Sequence, residues 1–322
     1  MSKIRVGVIR GGPSSEYEVS LKTGASVLKH LSNKYDVHDI FISKTGEWHK
    51  GGMPYKPAEM INNFDVIFNA LHGEYGEDGK VQHLLDTIGI PYTGSGYLAS
   101  ALGMNKALSK KIFSDIGIKT PHHKIIKKDE YTHADIVDLF KTFPMPAVVK
   151  PVRAGSSSGV SIVHNIAEIE QGLVLAFKYD SEVLVEEYIS GREVTCGVIE
   201  GFRGEAFYSL LPVEIIHGSA SGIFDYEAKY SGKSKEICPG NFTKDEIKKI
   251  QDASVTVHKA LGLRHYSRSD FIVHPKRGVY ILEVNTLPGL TDESLFPLSL
   301  SAVGSSMPEF LVHTLELARG KI

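Results

Sequence analysis

The chain has 322 residues, of which 42% are hydrophobic and 23% charged, a composition typical of a globular protein with two or three domains. Its formal net charge of −2 argues against general nucleic-acid binding, and it has no apolar run of about 18 residues that would predict a membrane span. Only Cys196 and Cys238 are present, and the N-terminus lacks the apolar stretch of a signal peptide. We therefore expect a cytoplasmic protein with neither membrane nor nucleic-acid partners.

The chain opens with the order strand, glycine-rich turn and helix. A strand is predicted over residues 4–9, the turn occupies residues 11–16, and a helix begins near Glu18. This order is typical of a doubly wound α/β domain, which binds ligands at the carboxyl ends of its strands. A dinucleotide site is the weaker interpretation, because the full glycine fingerprint is absent and Pro13 removes one backbone donor.

Two further strands are predicted, at residues 37–42 and 66–71, and a polar loop with regularly spaced glycines follows the second. His72 begins that loop. Its position at the carboxyl end of a strand makes it a functional candidate, although a structural histidine is the alternative. A single helix is predicted over residues 101–118, and it carries Lys106.

Lys150 ends a predicted strand, 145–151, and precedes a glycine–serine loop at residues 155–159. The backbone N–H groups and hydroxyls of such a loop can bind phosphate, and lysine adds a compact positive charge. A flexible hairpin would have the same composition, and the Walker spacing is missing. The phosphate interpretation therefore depends on Lys150. A strand at 160–163 and a helix near 166–178 are predicted next, and the strand that follows, 182–189, has a polar end that could line a nucleotide-base pocket.

A long loop is predicted over residues 217–241, where apolar periodicity is missing and glycine and serine are frequent. Long loops inside compact domains are usually functional or disordered. Lys229 and Tyr230 at its centre favour an active-site lid. Helices are then predicted over residues 243–261 and 308–318.

A β-hairpin is predicted around the turn at residues 274–278, between two apolar runs rich in β-branched residues. Asp270 lies on its first strand, and Glu283 and Asn285 lie two apart on the second, so these two share one face. Two carboxylates and an amide oxygen are ligands that Mg²⁺ prefers, commonly shared with substrate phosphates. The solvated face of an edge hairpin is the alternative interpretation.

Six sequence blocks occur in one order along the chain. They are residues 11–20, residues 72–79, Lys150-Pro151 with residues 155–159, residues 227–230, Arg268-x-Asp270, and residues 283–289. Together they resemble, over essentially the whole chain, the D-alanine–D-alanine ligases of the ATP-grasp superfamily. The resemblance implies an α/β fold of the α+β ATP-grasp type. A doubly wound N-terminal domain, 1–100, would precede two ATP-grasp domains, 101–187 and 188–322, that clamp the nucleotide.

This resemblance also implies an activity. The family joins two D-alanines into D-alanyl-D-alanine through a D-alanyl phosphate, releasing ADP and phosphate, for peptidoglycan precursor synthesis. ATP and two Mg²⁺ ions, with Mn²⁺ as a substitute, and a homodimer are implied with it. The alternatives are a ligase that makes D-alanyl-D-lactate or D-alanyl-D-serine, and an ATP-binding relative without catalysis. Tyr230 argues against the lactate alternative, and the retained lysines and carboxylates argue against the loss of catalysis.

The resemblance assigns residues to each part of the site. The ATP-binding residues would be Lys106, Lys150, Ser157, Glu186, Glu187, Ile189, Glu193, Lys229 and Asn285, and the metal ligands Asp270, Glu283 and Asn285. The catalytic residues would be Glu16, Ser156, Tyr230, Arg268 and Gly289. The first D-alanine would contact Glu16, Val19 and His72, and the second Ser294 and Leu295. Arg268 and the Gly289 N–H would hold the oxyanion, and Glu16, Ser156 and Tyr230 would fasten the lids.

Four positions depart from the pattern of the family. Glu187 stands where lysine is frequent, and His265 where glycine or alanine is usual. Ser269 replaces an apolar residue, and His83 replaces a small one. We expect these changes to alter local packing and the contacts of the adenine ring, and to leave the metal-binding and acyl-transfer residues intact.

Overall fold

A computed structural model describes residues 3–31, 34–217 and 234–321. The predicted lid residues Lys229 and Tyr230 lie outside these ranges, as does the rest of the block at 227–230.

The first sheet is mixed, with a parallel part in which β1 lies between β2 and β5. Its order is β4-β3-β2-β1-β5, with β1 Arg5–Gly11, β2 Asp36–Ile42, β3 Trp48–Lys50, β4 Met53–Pro54 and β5 Val66–Asn69. Helices α1 Tyr17–Leu31, α2 Met60–Asn63 and α3 Lys80–Ile88 accompany it. β1 pairs in parallel with β2 and β5, and its apolar side chains are buried, as expected for a strand covered on both faces. The loops after β1 and β5 therefore meet at one edge.

The predicted helix over residues 101–118 is wrong, because two helices occupy this region. They are α4 Tyr97–Met104 and α5 Lys106–Asp115. Asn105 has an extended backbone, and its side-chain oxygen accepts the N–H groups of Ala107 and Leu108, both at 3.1 Å. This N-cap begins a new helix at Lys106.

The second sheet is antiparallel and has the order β6-β9-β7-β8. Its strands are β6 His123–Lys127, β7 Ala147–Pro151, β8 Ser161–Val163 and β9 Glu182–Glu187, and helices α6 His133–Thr142 and α7 Ile166–Ala176 cover one face. Val149 and Val185 pack in the core beneath these helices. Because side chains alternate along a strand, Lys150 of β7 and Glu186 of β9 lie on the opposite face, away from these helices.

The third sheet contains the predicted hairpin. Its strands are β10 Arg192–Glu200, β11 Phe207–Ser209, β12 Val213–His217, β13 Ser234–Ile237, β14 Tyr266–His274 and β15 Gly278–Asn285, in the order β13-β12-β10-β14-β15 with β11 beside β10. Helices α8 Lys244–Ala260, α9 Leu295–Ala302 and α10 Met307–Ala318 complete the chain. The prediction of an uninterrupted loop over 217–241 is partly wrong, because β13 lies inside it and pairs with β12.

The apolar cores connect the sheets. Phe113 of α5 packs with Ile281 and Val284 of β15, and Val8 of β1 belongs to the same core as Phe310 of α10. The first sheet and the helix pair α4 and α5 are thus both anchored to the C-terminal part of the chain.

Across the described ranges, no single helix combines the length and apolar character of a membrane span. One sharply bent pair, α9 with α10, meets that test only when the two helices are taken together.

Candidate active site

The hairpin of β14 and β15 places its polar residues opposite one another. Asp270 pairs with Glu283, and Arg268 pairs with Asn285. The register shifts after Asp270, which leaves Leu282 as an extra residue on β15. Such a bulge bends the strand and redirects its side chains. As a result both Leu282 and Glu283 line the cleft described below.

Both carboxylates of the hairpin have basic partners. Arg268 donates two hydrogen bonds to Asp270, both at 2.8 Å, and Asn285 Nδ2 donates a third at 2.9 Å. The Lys106 ammonium lies 3.2 Å from Glu283 Oε2 and donates to the Ala154 carbonyl at 2.7 Å. The anionic and cationic groups of the site therefore neutralise one another.

The donor set of the hairpin fits a hard cation only when other ligands are added. No cluster of three or more His, Cys, Asp and Glu side chains with metal-ligand geometry occurs in the described part of the chain. Asp270, Glu283 and Asn285 offer two carboxylates and an amide. Mg²⁺ usually takes few protein ligands and completes its shell with water and substrate phosphates. The residues therefore fit a metal that arrives with a phosphate group.

A buried pair of lysines shares the carboxylate of Glu186. Lys150 and Lys110 each form an ion pair with it, the latter at 2.9 Å, and Lys110 also donates to Thr120 Oγ1 at 2.8 Å. Burial alone would raise the pKa of Glu186, but the two lysines outweigh it and hold the pKa below its usual value. Burial lowers the pKa of Lys110, which is fully inaccessible, to about 8. Both partners are therefore charged at neutral pH.

A cleft with about 940 Å³ of empty space, part of it open to solvent, separates the second and third sheets. Val148 and Ile162 line it from one side, and Ile272 and Leu282 from the other. Its polar lining contains most of the predicted nucleotide and metal residues, namely Lys106, Lys150, Ser157, Glu186, Glu187, Glu193, Asp270 and Glu283, together with the apolar Ile189. A cleft of this size suits a small-molecule ligand with an apolar ring and an anionic end.

A second, smaller cavity of about 360 Å³ adjoins this cleft. Glu16, Glu77, Gly155 and Asn285 line it. It shares Lys106, Ala154 and Glu283 with the larger cleft. Any chemistry between a large and a small ligand would take place at that shared boundary.

The glycine–serine loop contacts the first domain through Glu16. Ser156 Oγ donates a hydrogen bond to Glu16 Oε1. This contact brings together two of the three residues that were predicted to fasten the lids, and the third, Tyr230, lies outside the described residues. Gly155 is so close that an added Cβ would lie 2.2 Å from Glu16 Oε2. Ser156 and Ser157 have φ values of 49° and 57°, a left-handed conformation that costs roughly 1 kcal/mol per residue. Such strained conformations are frequent at ligand-binding loops.

Among the residues that the structure describes, no basic side chain offsets the burial of Glu16. Burial raises the pKa of its carboxyl group, and the nearby Glu77 raises it further, against weaker opposing effects of His72 and Ser156. A ligand that carries an ammonium group would supply the missing positive charge.

His72 is held between the first helix and a buried carboxylate. Its Nε2 is 2.8 Å from Thr23 Oγ1, and its Nδ1 is 3.7 Å from Glu77 Oε1. Glu77 also accepts the Gly73 N–H at 3.0 Å and, from a distant part of the chain, the Leu287 N–H at 3.2 Å. His72 thus has a structural anchor at the edge of the candidate site. Val19, on α1, is half-buried.

The predicted second-substrate residues lie at the start of α9. Ser294 is its N-cap, and Leu295 its first residue. Ser294 Oγ accepts the Thr291 N–H at 3.1 Å. An added Cβ on Gly289 would lie 2.9 Å from Ser294 Oγ, so the predicted oxyanion and carboxylate groups are neighbours. A helix N-terminus with free N–H groups favours an anion.

The four departures have different surroundings. Glu187 forms a two-pronged ion pair with Arg277 of the hairpin turn, and His265 accepts a hydrogen bond from Gly94 at 3.1 Å. The Ser269 hydroxyl is buried and finds no hydrogen-bond partner among the described residues. His83 is exposed, with its ring edge on Tyr97 at 5.8 Å.

Two residues of the site were missed by the sequence analysis. Lys110 follows Lys106 by one helical turn, a spacing that usually indicates an exposed face, and nothing local indicates that it is buried. Glu77 belongs to a recognised block but was given no role. Its hydrogen bonds to Thr286 and Leu287 depend on a contact more than 200 residues away in the chain, which no local pattern predicts.

Two sheets that enclose a cleft, with lysines on one side and carboxylates on a hairpin on the other, define the ATP-grasp class of ligases. Two family profiles specify the class further. The profile described as "D-ala D-ala ligase N-terminus" matches residues 5–60 and 52–95, and "D-ala D-ala ligase C-terminus" matches residues 112–316. The chain belongs to the D-alanine–D-alanine ligase family.

Individual relatives agree with this assignment. The D-alanine–D-alanine ligase of Geobacter sulfurreducens is 38% identical, over 99% of this chain and 95% of its own length. That of Desulforamulus reducens is 40% identical, over 98% of both chains.

Solved structures are similar along the whole chain. The VanG D-Ala:D-Ser ligase of Enterococcus faecalis has a TM-score of 0.84 and 34% identity, covering 99% of this chain and 100% of its own. The D-alanine–D-alanine ligase of Coxiella burnetii has a TM-score of 0.85 and 26% identity, covering 100% of this chain and 95% of its own. The fold prediction of an ATP-grasp ligase is confirmed.

Proposed function

We propose that the chain joins two D-alanines into D-alanyl-D-alanine, consuming ATP, and that it does so in the cytoplasm to supply peptidoglycan precursors. The observation that carries this proposal is the boundary shared by the two cavities. Lys106 and Glu283 line both the cleft and the small cavity, so a terminal phosphate and a small carboxylate would meet there.

The nucleotide would occupy the cleft. Val148 and Ile162 on one side and Ile272 and Leu282 on the other can hold a flat base between them. Glu186, Glu187, Ile189 and Glu193 would line the base and ribose, with Lys106, Lys150, Ser157 and the undescribed Lys229 at the phosphates. The bound Mg²⁺ ions, or Mn²⁺ in their place, would neutralise phosphate charge. Asp270, Glu283 and Asn285 would hold them.

The first step would form an acyl phosphate. A carboxylate oxygen of the first D-alanine attacks the γ-phosphorus of ATP, and the bond to ADP breaks. Lys106 and Lys150 neutralise the charge that spreads over the transferred group, since phosphoryl transfer depends chiefly on positioning and charge. Glu16 pairs with the substrate ammonium, while Val19 and His72 bound its side-chain pocket.

The second step would form the peptide bond. The deprotonated amine of the second D-alanine attacks the acyl carbon, phosphate leaves with the electron pair of the broken bond, and the nitrogen gives up one proton to the departing phosphate. Arg268 and the Gly289 N–H stabilise the oxyanion, and Ser294 and the Leu295 N–H hold the carboxylate. The hydrogen bond from Ser156 to Glu16 would hold the glycine–serine loop closed. Together with Tyr230, this contact would keep water from the acyl phosphate.

We propose three functional domains, formed by the segments 1–100, 101–187 and 188–322.

We also propose a homodimer as the active assembly. Leu98 of α4 and Leu108 of α5 are about half exposed, and acidic and basic side chains both border their groove. A surface of mixed charge can complement itself across a two-fold axis. Light scattering should give twice the chain mass, and Leu98→Glu should reduce it to one chain.

The proposed activity is tested by measuring phosphate release from Mg-ATP with D-alanine or L-alanine and identifying the product by mass. Release that requires D-alanine and yields D-alanyl-D-alanine supports the proposal. Glu283→Ala should lower turnover by roughly a thousandfold, because it removes a phosphate–metal contact. Glu47→Gln, an exposed change on the first domain, is the control. ATP binding without release under any D-amino acid would refute the proposed activity.

A D-alanine–D-serine ligase is the second candidate. The D-Ala:D-Ser ligase of Enterococcus faecalis is 34% identical to this chain, close to the 38% and 40% of the D-alanine–D-alanine ligases of Geobacter sulfurreducens and Desulforamulus reducens. Equimolar D-alanine and D-serine, with products separated by mass, would distinguish the two. A predominant D-alanyl-D-serine product would replace the first proposal.

A further inference from the structure

A joint of three hydrogen bonds connects the first domain to the start of β14. Arg264 Nε donates to the Gly94 carbonyl at 2.8 Å, and the Arg264 N–H donates to Ser95 Oγ at 3.3 Å. In the reverse direction, the Gly94 N–H donates to His265 Nδ1 at 3.1 Å. The turn at residues 93–95 is thereby bound to two consecutive residues of the third domain.

His265 is fixed from both sides in an unusual backbone conformation. Its side chain is buried and its φ is 67°, which favours glycine or asparagine. Its N–H donates to Glu200 Oε2 at 2.5 Å, and its carbonyl accepts the Glu200 N–H at 2.9 Å. Because Nδ1 accepts the Gly94 N–H, the ring proton must lie on Nε2 and the imidazole is neutral.

The charge state of the ring agrees with this tautomer. Burial, and then the adjacent Arg264, lower the pKa of His265 to about 4, while Glu200 opposes them. The ring is therefore neutral, with Nδ1 available as an acceptor, at any pH near 7.

Both ends of the joint lead to the groups proposed for the second reaction step. His265 precedes Arg268 by three residues and immediately precedes β14. On the other side, an added Cβ on Gly94 would lie 2.8 Å from Leu287 Cδ2, and Leu287 is two residues before Gly289. A displacement of the 93–95 turn would therefore act on both the Arg268 strand and the Gly289 loop.

We propose that His265 is a positioning residue, whose neutral imidazole accepts the Gly94 N–H and so keeps Arg268 and Gly289 in register with the second substrate. This inference rests on the proposed ligase function. The competing explanation is that His265 only fills space in the domain contact, and that Arg264 alone supplies the polar bonds.

Three substitutions of His265 distinguish the loss of its hydrogen-bond acceptor from an effect on its backbone conformation. His265→Asn keeps an acceptor, because Asn Oδ1 occupies nearly the place of His Nδ1, and asparagine tolerates positive φ. His265→Gly fits the backbone but has no acceptor. His265→Gln provides an oxygen one atom further out, at the place of Nε2. The control is His133→Asn, which changes an exposed histidine whose partner is Glu170.

The test combines steady-state kinetics with hydrogen exchange on the full-length protein. For His265→Gly we expect kcat/KM for the second D-alanine to fall roughly tenfold, the effect of one lost hydrogen bond, with KM for ATP unchanged. His265→Asn should remain within about twofold of the parent and His265→Gln should resemble His265→Gly. Exchange of peptides that contain Gly94, followed by mass spectrometry, should be faster in His265→Gly and parent-like in His265→Asn.

The inference is overturned if His265→Asn and His265→Gly are equally impaired, or if both match the parent in kinetics and exchange. Should His265→Gly fail to fold, the comparison of His265→Asn with His265→Gln decides in the same way. Failure of the ligase function is a separate result, seen as an absence of D-alanine-dependent phosphate release in the parent protein. A parent without that activity, or unequal exchange without a kinetic difference, refutes the positioning role as stated.

Discussion

The Lys106 ammonium lies 3.2 Å from Glu283 Oε2, so the cation proposed to bind phosphate forms an ion pair with a carboxylate proposed to bind metal. Lys106 is nearly inaccessible to solvent, and charge interactions are less screened there than at the surface. A metal ion must therefore compete with Lys106 for Glu283. When metal and phosphate bind together, both charges are satisfied at once.

Lys106→Met should change nucleotide and metal binding in opposite directions. ATP affinity should fall by about tenfold or more, since a charge-assisted contact is lost. Mn²⁺ alone should bind more tightly, since its competitor is gone, and the electron spin resonance signal of free Mn²⁺ measures this without turnover. Lys124→Met, an exposed change on β6, is the control. Unchanged Mn²⁺ affinity would contradict the competition.

Lys110→Met should destabilise the fold. Removal of one partner from a buried ion pair leaves an incompletely compensated charge on Glu186, and we expect a loss of about 3 kcal/mol in the free energy of unfolding. Urea unfolding measures it, with Lys111→Met, the exposed neighbour on the same helix, as the control. If Lys110→Met and Glu186→Gln add without coupling in the double variant, the ion pair does not contribute as proposed.

Arg277→Ala should have a small effect despite the two-pronged contact with Glu187. Glu187 lines the cleft, but Arg277 is substantially exposed, so solvent and salt screen the pair. Arg277 holds the pKa of Glu187 below its usual value through hydrogen bonding. We expect KM for ATP to rise less than about threefold and D-alanine kinetics to remain unchanged. A large rise in KM would show that Glu187 must be held for adenine binding.

The pH dependence of stability should reveal the neutral His265. Its pKa is about 4 in the folded chain against an ordinary value of 6.5, so the unfolded chain binds protons more readily. The contribution of the neutral His265 ring to the free energy of unfolding is fully present above pH 6.5 and is lost as the pH falls towards 4. Between pH 6.5 and pH 5 the parent should lose about 1.5 kcal/mol more than His265→Asn. Arg264, Glu200, His258 and His313 surround the ring and are common to both proteins. Parallel stability curves would contradict the assigned charge state.

The elements of the fold with strong local patterns were predictable. The hairpin of β14 and β15, β1 and α1 follow alternating or helical apolar patterns, and the structure confirms them. The break at Asn105 was not predicted, because apolar residues continue at helical spacing on both sides and the capping bond leaves no other trace in the sequence. β13 was missed because a short, polar strand pairs with β12 through its backbone.

In the candidate site, too, the residues with a strong local pattern were predictable and their distant partners were not. Asp270, Glu283 and Asn285 are recognisable because oxygen-bearing residues interrupt apolar strands. The partners of these groups come from elsewhere in the chain, as with Lys106 on Glu283 and Lys110 on Glu186. Charge pairing between distant segments depends on tertiary packing, and sequence periodicity has no information about it.

Gly155 lies so close to Glu16 that a methyl group added at Gly155 would keep the two residues apart. Gly155 has an ordinary backbone conformation, so alanine can be accommodated whenever the glycine–serine loop is away from the first domain. With the loop docked, the methyl carbon would lie 2.2 Å from a carboxylate oxygen. Gly155→Ala would therefore exclude the docked arrangement while the loop keeps all its other residues. It offers a way to crystallise the protein with the loop undocked and to compare the two forms directly.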